Sequence, residues 1–255
     1  MGFHEFSSPY DWSRIASFKR TAKAAFGGMV DLSVGSPVDP VPDSVRKALG
    51  AASNDPNAYG YPVTAGTADL RSAIAEWFAA ARNVDLTAID ADVVPTVGSK
   101  EGVALMASLL HLGAGDVVVQ PKVSYPTYEI GTQLAGAKVL KVDDVADVES
   151  WKDVPGVKAI WVNSPCNPTG AVLAAEQMAA IVAAAWHRGR GAFRRMLCVD
   201  AVGKRGRRSG CGHSHIHAMR PAPGCVRRLR ARRACVVFLE QAVQYGRLSY
   251  GVHCR

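Results

Sequence analysis

Asn163-Ser164-Pro165-Cys166-Asn167-Pro168-Thr169-Gly170 is the stretch whose reading decides the fold of this chain. It follows a short apolar run at 159–163 that has the pattern of a buried strand, and it precedes an alanine-rich helical run at 174–186. The two X-Pro steps force an extended backbone that cannot enter a helix until Thr169-Gly170 releases it. Strand, punctuated turn and helix in that order form the crossover unit of a parallel sheet. The turn also fixes the Asn167 amide in the crevice at the strand end, where it can donate to a phenolate-like oxygen. Asn-Pro-Thr-Gly alone is a commonplace turn; the eight-residue form at a strand end is specific.

Upstream, the same alternation repeats. Residues 30–34 read as a short strand-like entry, and residues 43–52 as a helix starting at an Asp/Ser cap. Residues 68–81 read as an amphipathic helix with Leu70, Ile74, Trp77 and Phe78 on one face. Strands are expected at 93–97, 116–120, 138–142 and 159–163, with helices at 100–112, near 128–135 and at 174–186. Such alternation implies an α/β fold, a mostly parallel sheet with helices on both faces, and ligands at the carboxyl ends of the strands.

Two more strand ends carry chemistry. Val97-Gly98-Ser99-Lys100-Glu101-Gly102 is a strand, glycine, helix turn whose free N–H groups and helix dipole suit a phosphate, with the Ser99 hydroxyl as an added donor. Taken alone it reads as a serine-capped helix with no ligand, and Lys100, in the first turn, points to solvent. Tyr125, in Ser124-Tyr125-Pro126-Thr127-Tyr128, is held by a following proline and can stack on a flat heteroaromatic ring. It serves equally well, by itself, as a plug for the top of the sheet.

Together these motifs resemble the class I aminotransferases of the pyridoxal-phosphate fold type I. The likeness runs over about residues 25–185. It is nearest to the actinobacterial succinyldiaminopimelate aminotransferase group, through Val30-Asp31-Leu32-Ser33-Val34-Gly35-Ser36-Pro37-Val38-Asp39-Pro40 and Gly98-Ser99-Lys100-Glu101. The resemblance implies pyridoxal 5'-phosphate as cofactor, with Ser99 and Lys100 giving main-chain contacts to its phosphate, Tyr125 stacked on its ring and Asn167 on its 3-oxygen. It implies that Gly35 lines the substrate pocket, and that Tyr61 reaches the phosphate of a neighbouring subunit in a homodimer. The implied substrates are an amino acid and a keto acid: amino transfer between glutamate and an acidic keto acid, with N-succinyl-diaminopimelate in lysine synthesis as the candidate.

The later motifs of that family are missing. An aspartate for the pyridine nitrogen is due about 28 residues after Asn167, where Arg195 stands; Asp200 follows about five residues late. The Schiff-base lysine should follow a serine, yet the only lysine beyond Lys158 is Lys204, in Gly203-Lys204-Arg205-Gly206-Arg207-Arg208. The catalytic lysine is therefore read as absent, and the fold as C-terminally incomplete. Composition changes at the same place. Residues 186–255 hold fifteen Arg and Lys204 against Asp200 and Glu240, a net +14, while residues 1–185 carry −6. Five of the six cysteines and five of the seven histidines also fall there.

A frame change accounts for this. Read one nucleotide later, within codon degeneracy, the codons for Phe193–Cys198 can yield serine-aspartate-glutamate-cysteine-tyrosine-alanine. In the same phase, those for Glu240–Ser249 can yield serine-lysine-arginine-serine-asparagine-methionine-alanine-glycine-tyrosine-arginine. Both strings are what the resemblance requires, in order. The expected organisation is an N-terminal arm and small-domain part (1–48), a partial cofactor-binding large domain (49–187), and a basic, out-of-frame, poorly ordered tail (188–255), so that the sheet loses its later strands. The alternative class is a non-enzymatic, basic-tailed α/β protein that binds nucleic acid or another polyanion nonspecifically, through the arginines at 227, 228, 230, 232 and 233. Cys211, His213, His215, His217 and Cys225 lack paired ligand spacing, so no metal site is expected. With no signal-type apolar core after Arg14, Lys19, Arg20 and Lys23, and no long apolar run, a cytoplasmic protein without a membrane span is expected.

Overall fold

The structure, a computed structural model, describes residues 11–31, 40–82, 84–88, 91–186, 196–202, 236–240 and 249–254. In chain order its elements are α1 (Ala16–Ala24), α2 (Asp43–Ala52), α3 (Ala68–Arg82), β1 (Ala91–Thr96), α4 (Ser99–Leu109), β2 (Val117–Pro121) and α5 (Thr127–Leu134). These are followed by β3 (Lys138–Val142), β4 (Val157–Asn163), α6 (Ala175–Trp186), β5 (Met196–Val202), β6 (Val236–Glu240) and β7 (Ser249–Cys254). The expected helices and strands of 43–186 are all present with small shifts of their ends. Of the strand expected at 30–34 only Val30 and Asp31 are described, and both are irregular. The cap expected at Asp43 is not formed: Pro42 holds the cap position without a side-chain bond, and Asp43, already inside the helix, pairs with Arg46 one turn on.

The seven strands form one sheet in the order β1-β7-β6-β5-β4-β2-β3. Pairings β2–β3, β2–β4, β4–β5 and β5–β6 are parallel, and β7 is antiparallel to both β6 and β1. Every strand except β7 therefore runs in one direction, and the carboxyl ends of β1, β2, β4 and β5 share one edge. This corrects the expectation that the sheet loses its later strands, because three segments of residues 188–255 lie between β1 and β4. Met196–Val202 and Val236–Glu240 are short, largely apolar, β-branched runs, the composition of a strand buried on both faces. Each is short and flanked by arginine-rich sequence, which masks its strand pattern. Lys204, Cys211, His213, His215, His217, Cys225, the arginines at 227–233 and Gly35 lie outside the described residues.

The two faces of the sheet are read off alternate residues of β2 and β4. Val119, Ile160 and Val162 pack with Met178 and Ile181 of α6 and with Trp151, which is wholly buried and donates its indole N–H to the Val145 carbonyl at 2.9 Å. Val118, Ala159 and Trp161 pack with Val103 and Met106 of α4 and with Tyr128 of α5. Close approach of α4 and α5 depends on Gly131, where an added Cβ would stand 2.6 Å from the Ala104 carbonyl oxygen. A third cluster joins Ile74 and Phe78 of α3 to Leu86 and Val93; of the face expected there, Trp77 is half-buried and Leu70 exposed. Helices α1 and α2, by contrast, bury no residue. No helix among the described residues is long and apolar enough to cross a membrane.

Candidate functional site

At the carboxyl end of β1, the chain turns through Val97-Gly98 into α4. Gly98 holds the cap position in extended backbone, and its carbonyl accepts the Glu101 and Gly102 N–H groups at 3.0 and 3.5 Å. Glu101, in the first turn, reaches back to accept the Val97 N–H at 2.8 Å, one residue before the Gly98 cap. The Ser99 and Lys100 N–H groups make no bond within the described residues, as the first turn of a helix dictates. Ser99 is buried and Lys100 exposed, in keeping with a backbone cradle and a lysine facing water.

At the end of β2, Tyr125 lies half-buried, edge-on to Tyr128 with ring centroids 5.8 Å apart at 84°. Tyr128 is itself stacked on Trp161, at 4.4 Å and 12°. The Tyr125 ring thus rests on a braced aromatic pair, which favours a plate of fixed direction over a mobile lid. Gln120, the penultimate residue of β2, is 2% exposed. It donates to the Ser124 hydroxyl at 3.1 Å, while its Oε1 has no partner among the described residues. No motif singled out Gln120; its only signal was a polar residue in an otherwise apolar strand.

At the end of β4, residues 163–173 close into a tight loop. The Cys166 N–H donates to the Ala171 carbonyl and the Gly170 N–H to the Cys166 carbonyl, both at 2.7 Å. Gly170 sits at φ +73°, left-handed backbone that glycine adopts without strain, and this is the release from the Pro-restricted stretch. The Ser164 hydroxyl accepts the Leu173 N–H at 3.1 Å, and Asn163 Oδ1 accepts the Asn167 N–H. Both Pro165 and Pro168 follow cis peptide bonds. Asn167 is exposed and its own carboxamide makes no bond among the described residues.

Ser99, Lys100, Tyr125 and Asn167 therefore lie at one edge of the sheet, where parallel α/β folds bind ligands. Tyr61 is fully exposed. Asp200, which residue counting put late, pairs in register with Asn163 across β4 and β5, so its backbone reaches the same edge. Among the described residues no group of His, Cys, Asp and Glu could hold a metal ion.

The donors suit a phosphorylated heteroaromatic ring with an oxygen substituent: unpaired N–H groups for the anion, an aromatic plate for the ring and a carboxamide for the oxygen. A fold with that edge is the large-domain type of a pyridoxal-phosphate enzyme. Residues 27–190 match the family "Aminotransferase class I and II", and the chain belongs to it. The family is pyridoxal-phosphate dependent. Over 183 residues the chain is 43% identical to a Mycobacterium tuberculosis protein named "Probable aminotransferase", covering 71% of this chain and 41% of that protein. It is 40% identical, also over 183 residues, to the 4-dedimethylamino-4-oxo-anhydrotetracycline transaminase of Streptomyces rimosus, covering 72% of this chain and 48% of that one. Among solved structures it resembles the "probable N-succinyldiaminopimelate aminotransferase" of Thermus thermophilus, with TM-score 0.70 and 26% identity over 95% of this chain and 64% of that one. The chain thus spans less than half the length of the curated relatives it matches.

Proposed function

We propose that this chain is the front half of a pyridoxal-phosphate-dependent aminotransferase whose gene encoded amino transfer between glutamate and an acidic keto acid. The observation that carries the reading is the convergence of the α4 N-terminus, the braced Tyr125 ring and the Asn163–Gly170 loop at one sheet edge. In this reading Ser99 and Lys100 hold the phosphate through main-chain N–H groups. Tyr125 covers one face of the ring, Asn167 donates to the 3-oxygen and Gly35 borders the substrate. The bound cofactor supplies an electron sink that makes the substrate α-carbon acidic. Tyr61, fully exposed here, reaches a second copy in a cytoplasmic homodimer. The substrate we favour is N-succinyl-diaminopimelate, on the strength of the sequence resemblance and the Thermus thermophilus structure; the Streptomyces relative acts on a different molecule.

The chain as written lacks the proton-carrying lysine, and we attribute this to a single frame change between about residues 186 and 192. The end of the family match at residue 190 supports it. Residues 1–48, 49–187 and 188–255 are then an arm with part of a small domain, a partial large domain and an out-of-frame tail.

Mixing the purified chain with pyridoxal phosphate, reducing with borohydride and mapping the product by mass spectrometry tests the reading. No single lysine should become stoichiometrically labelled. Removing one nucleotide from the gene in the codon 186–192 interval should give a chain that is labelled at one lysine and transfers amino groups from glutamate. Stoichiometric labelling of one lysine in the unaltered chain overturns the incompleteness, and an early stop or an inert product in the shifted frame overturns the frame change. Salt-sensitive retention of DNA by the full chain, without cofactor binding, would instead favour the polyanion-binding class.

A further inference from the structure

Sequence motifs direct attention to Asn167, but the loop that carries it is held by another residue. Asn163 is the last residue of β4 and is only 6% exposed. Its Oδ1 accepts the Asn167 main-chain N–H, four residues on. Within 164–168, Pro165 and Pro168 have no N–H to give, and the Cys166 N–H is already taken by the Ala171 carbonyl. The Asn167 N–H has no main-chain acceptor among the described residues. Three other ties close the loop, from Gly170 to Cys166, from Cys166 to Ala171 and from Leu173 to Ser164, but none of them touches Asn167.

We propose that Asn163 is the positioning residue of the site: its buried carboxamide clamps the Asn167 peptide, so that the exposed Asn167 carboxamide is presented to the ring oxygen of the cofactor. The cofactor half of this proposal rests on the function proposed above; the clamp does not. Because β4 is fixed in the sheet between β2 and β5, the Asn163 carboxamide is a rigid anchor. Fixing the Asn167 N–H restrains the peptide plane that precedes its Cα, and so narrows the directions its side chain can take. A hydrogen bond to a ring oxygen tolerates only a few tenths of an ångström, so a loop that drifts by about 1 Å loses it.

Two measurements on the full chain separate a positioning role from general structural support. In hydrogen exchange followed by mass spectrometry, peptides covering 164–172 should exchange about tenfold faster in Asn163→Leu, which keeps the size and loses the acceptor, and near the wild-type rate in Asn163→Asp, which keeps an acceptor oxygen. Pyridoxamine phosphate, a ligand that needs no lysine, should then bind Asn163→Leu about tenfold more weakly, while its 3-deoxy analogue binds wild type and variant alike. Asn167→Ala should show the same contrast. If Asn163→Leu does not fold, Asn163→Ala, which adds no apolar bulk, takes its place. Unchanged exchange in the variant overturns the clamp, and equal weakening of both ligands overturns the positioning role. Failure of the wild type to bind pyridoxamine phosphate overturns the cofactor reading, and the exchange arm, which uses no ligand, still decides the clamp.

Discussion

Tyr125 and Trp151 show how differently single residues enter this molecule. Tyr125 stands half-buried on the Tyr128–Trp161 stack, with its ring free to meet a flat ligand. Stacking of that kind contributes about 0.5–1.5 kcal/mol, so Tyr125→Ala should weaken pyridoxamine phosphate binding by about two- to tenfold in a fluorescence titration, with the melting midpoint little changed. Trp151 is fully buried beneath the α6 face and spends its indole N–H on Val145. Trp151→Ala should cost about 3–5 kcal/mol, read as a lower urea midpoint, whereas Trp151→Phe should cost less because most of the volume remains. At this scale the sequence pointed to Ser99, Tyr125 and Asn167, since short motifs carry their own turn chemistry, and the fold places all three at strand ends on one edge of the sheet. It was silent on Gln120 and gave no role to Asn163, because a buried carboxamide announces itself only through the partner it finds.

Element by element, patterning located the α-helices and strands described between 43 and 186 but not the short 3-10 turn Val148–Ser150, because apolar periodicity and Pro/Gly punctuation act over a few residues. It erred where a local rule competed with context. Residues 43–44 offered two capping side chains, yet the helix starts from Pro42, whose fixed φ already suits a helix start. The pairing of α4 with α5 was not legible at all: it turns on a glycine facing a backbone carbonyl across two helices. Gly131→Ala should therefore destabilise the chain by about 1–3 kcal/mol in chemical denaturation, since the Ala104 carbonyl cannot move aside. Gly113→Ala, whose new Cβ would find nothing nearer than the Ala135 carbonyl at 3.9 Å, is the control and should be close to neutral. Equal losses at both positions would refute the close-packing argument.

For the molecule as a whole, helices α1 and α2 contribute no buried side chain, and Phe18, Phe26, Leu49, Tyr59 and Tyr61 are exposed, each by 65% or more. Apolar surface on this scale is seldom left to water. The isolated chain should aggregate or self-associate, seen as concentration-dependent light scattering; a monodisperse monomer with a sharp cooperative melt would count against this. The sequence by itself determined the family and the α/β alternation, because each is written in contiguous residues. Only the tertiary structure decided that β5, β6 and β7 fill the sheet between β1 and β4, that Asp200 comes level with Asn163, and that one carboxamide holds the loop of another. Those outcomes depend on pairing between residues distant in the chain, where hydrogen-bond register and the covering of two sheet faces outweigh local composition.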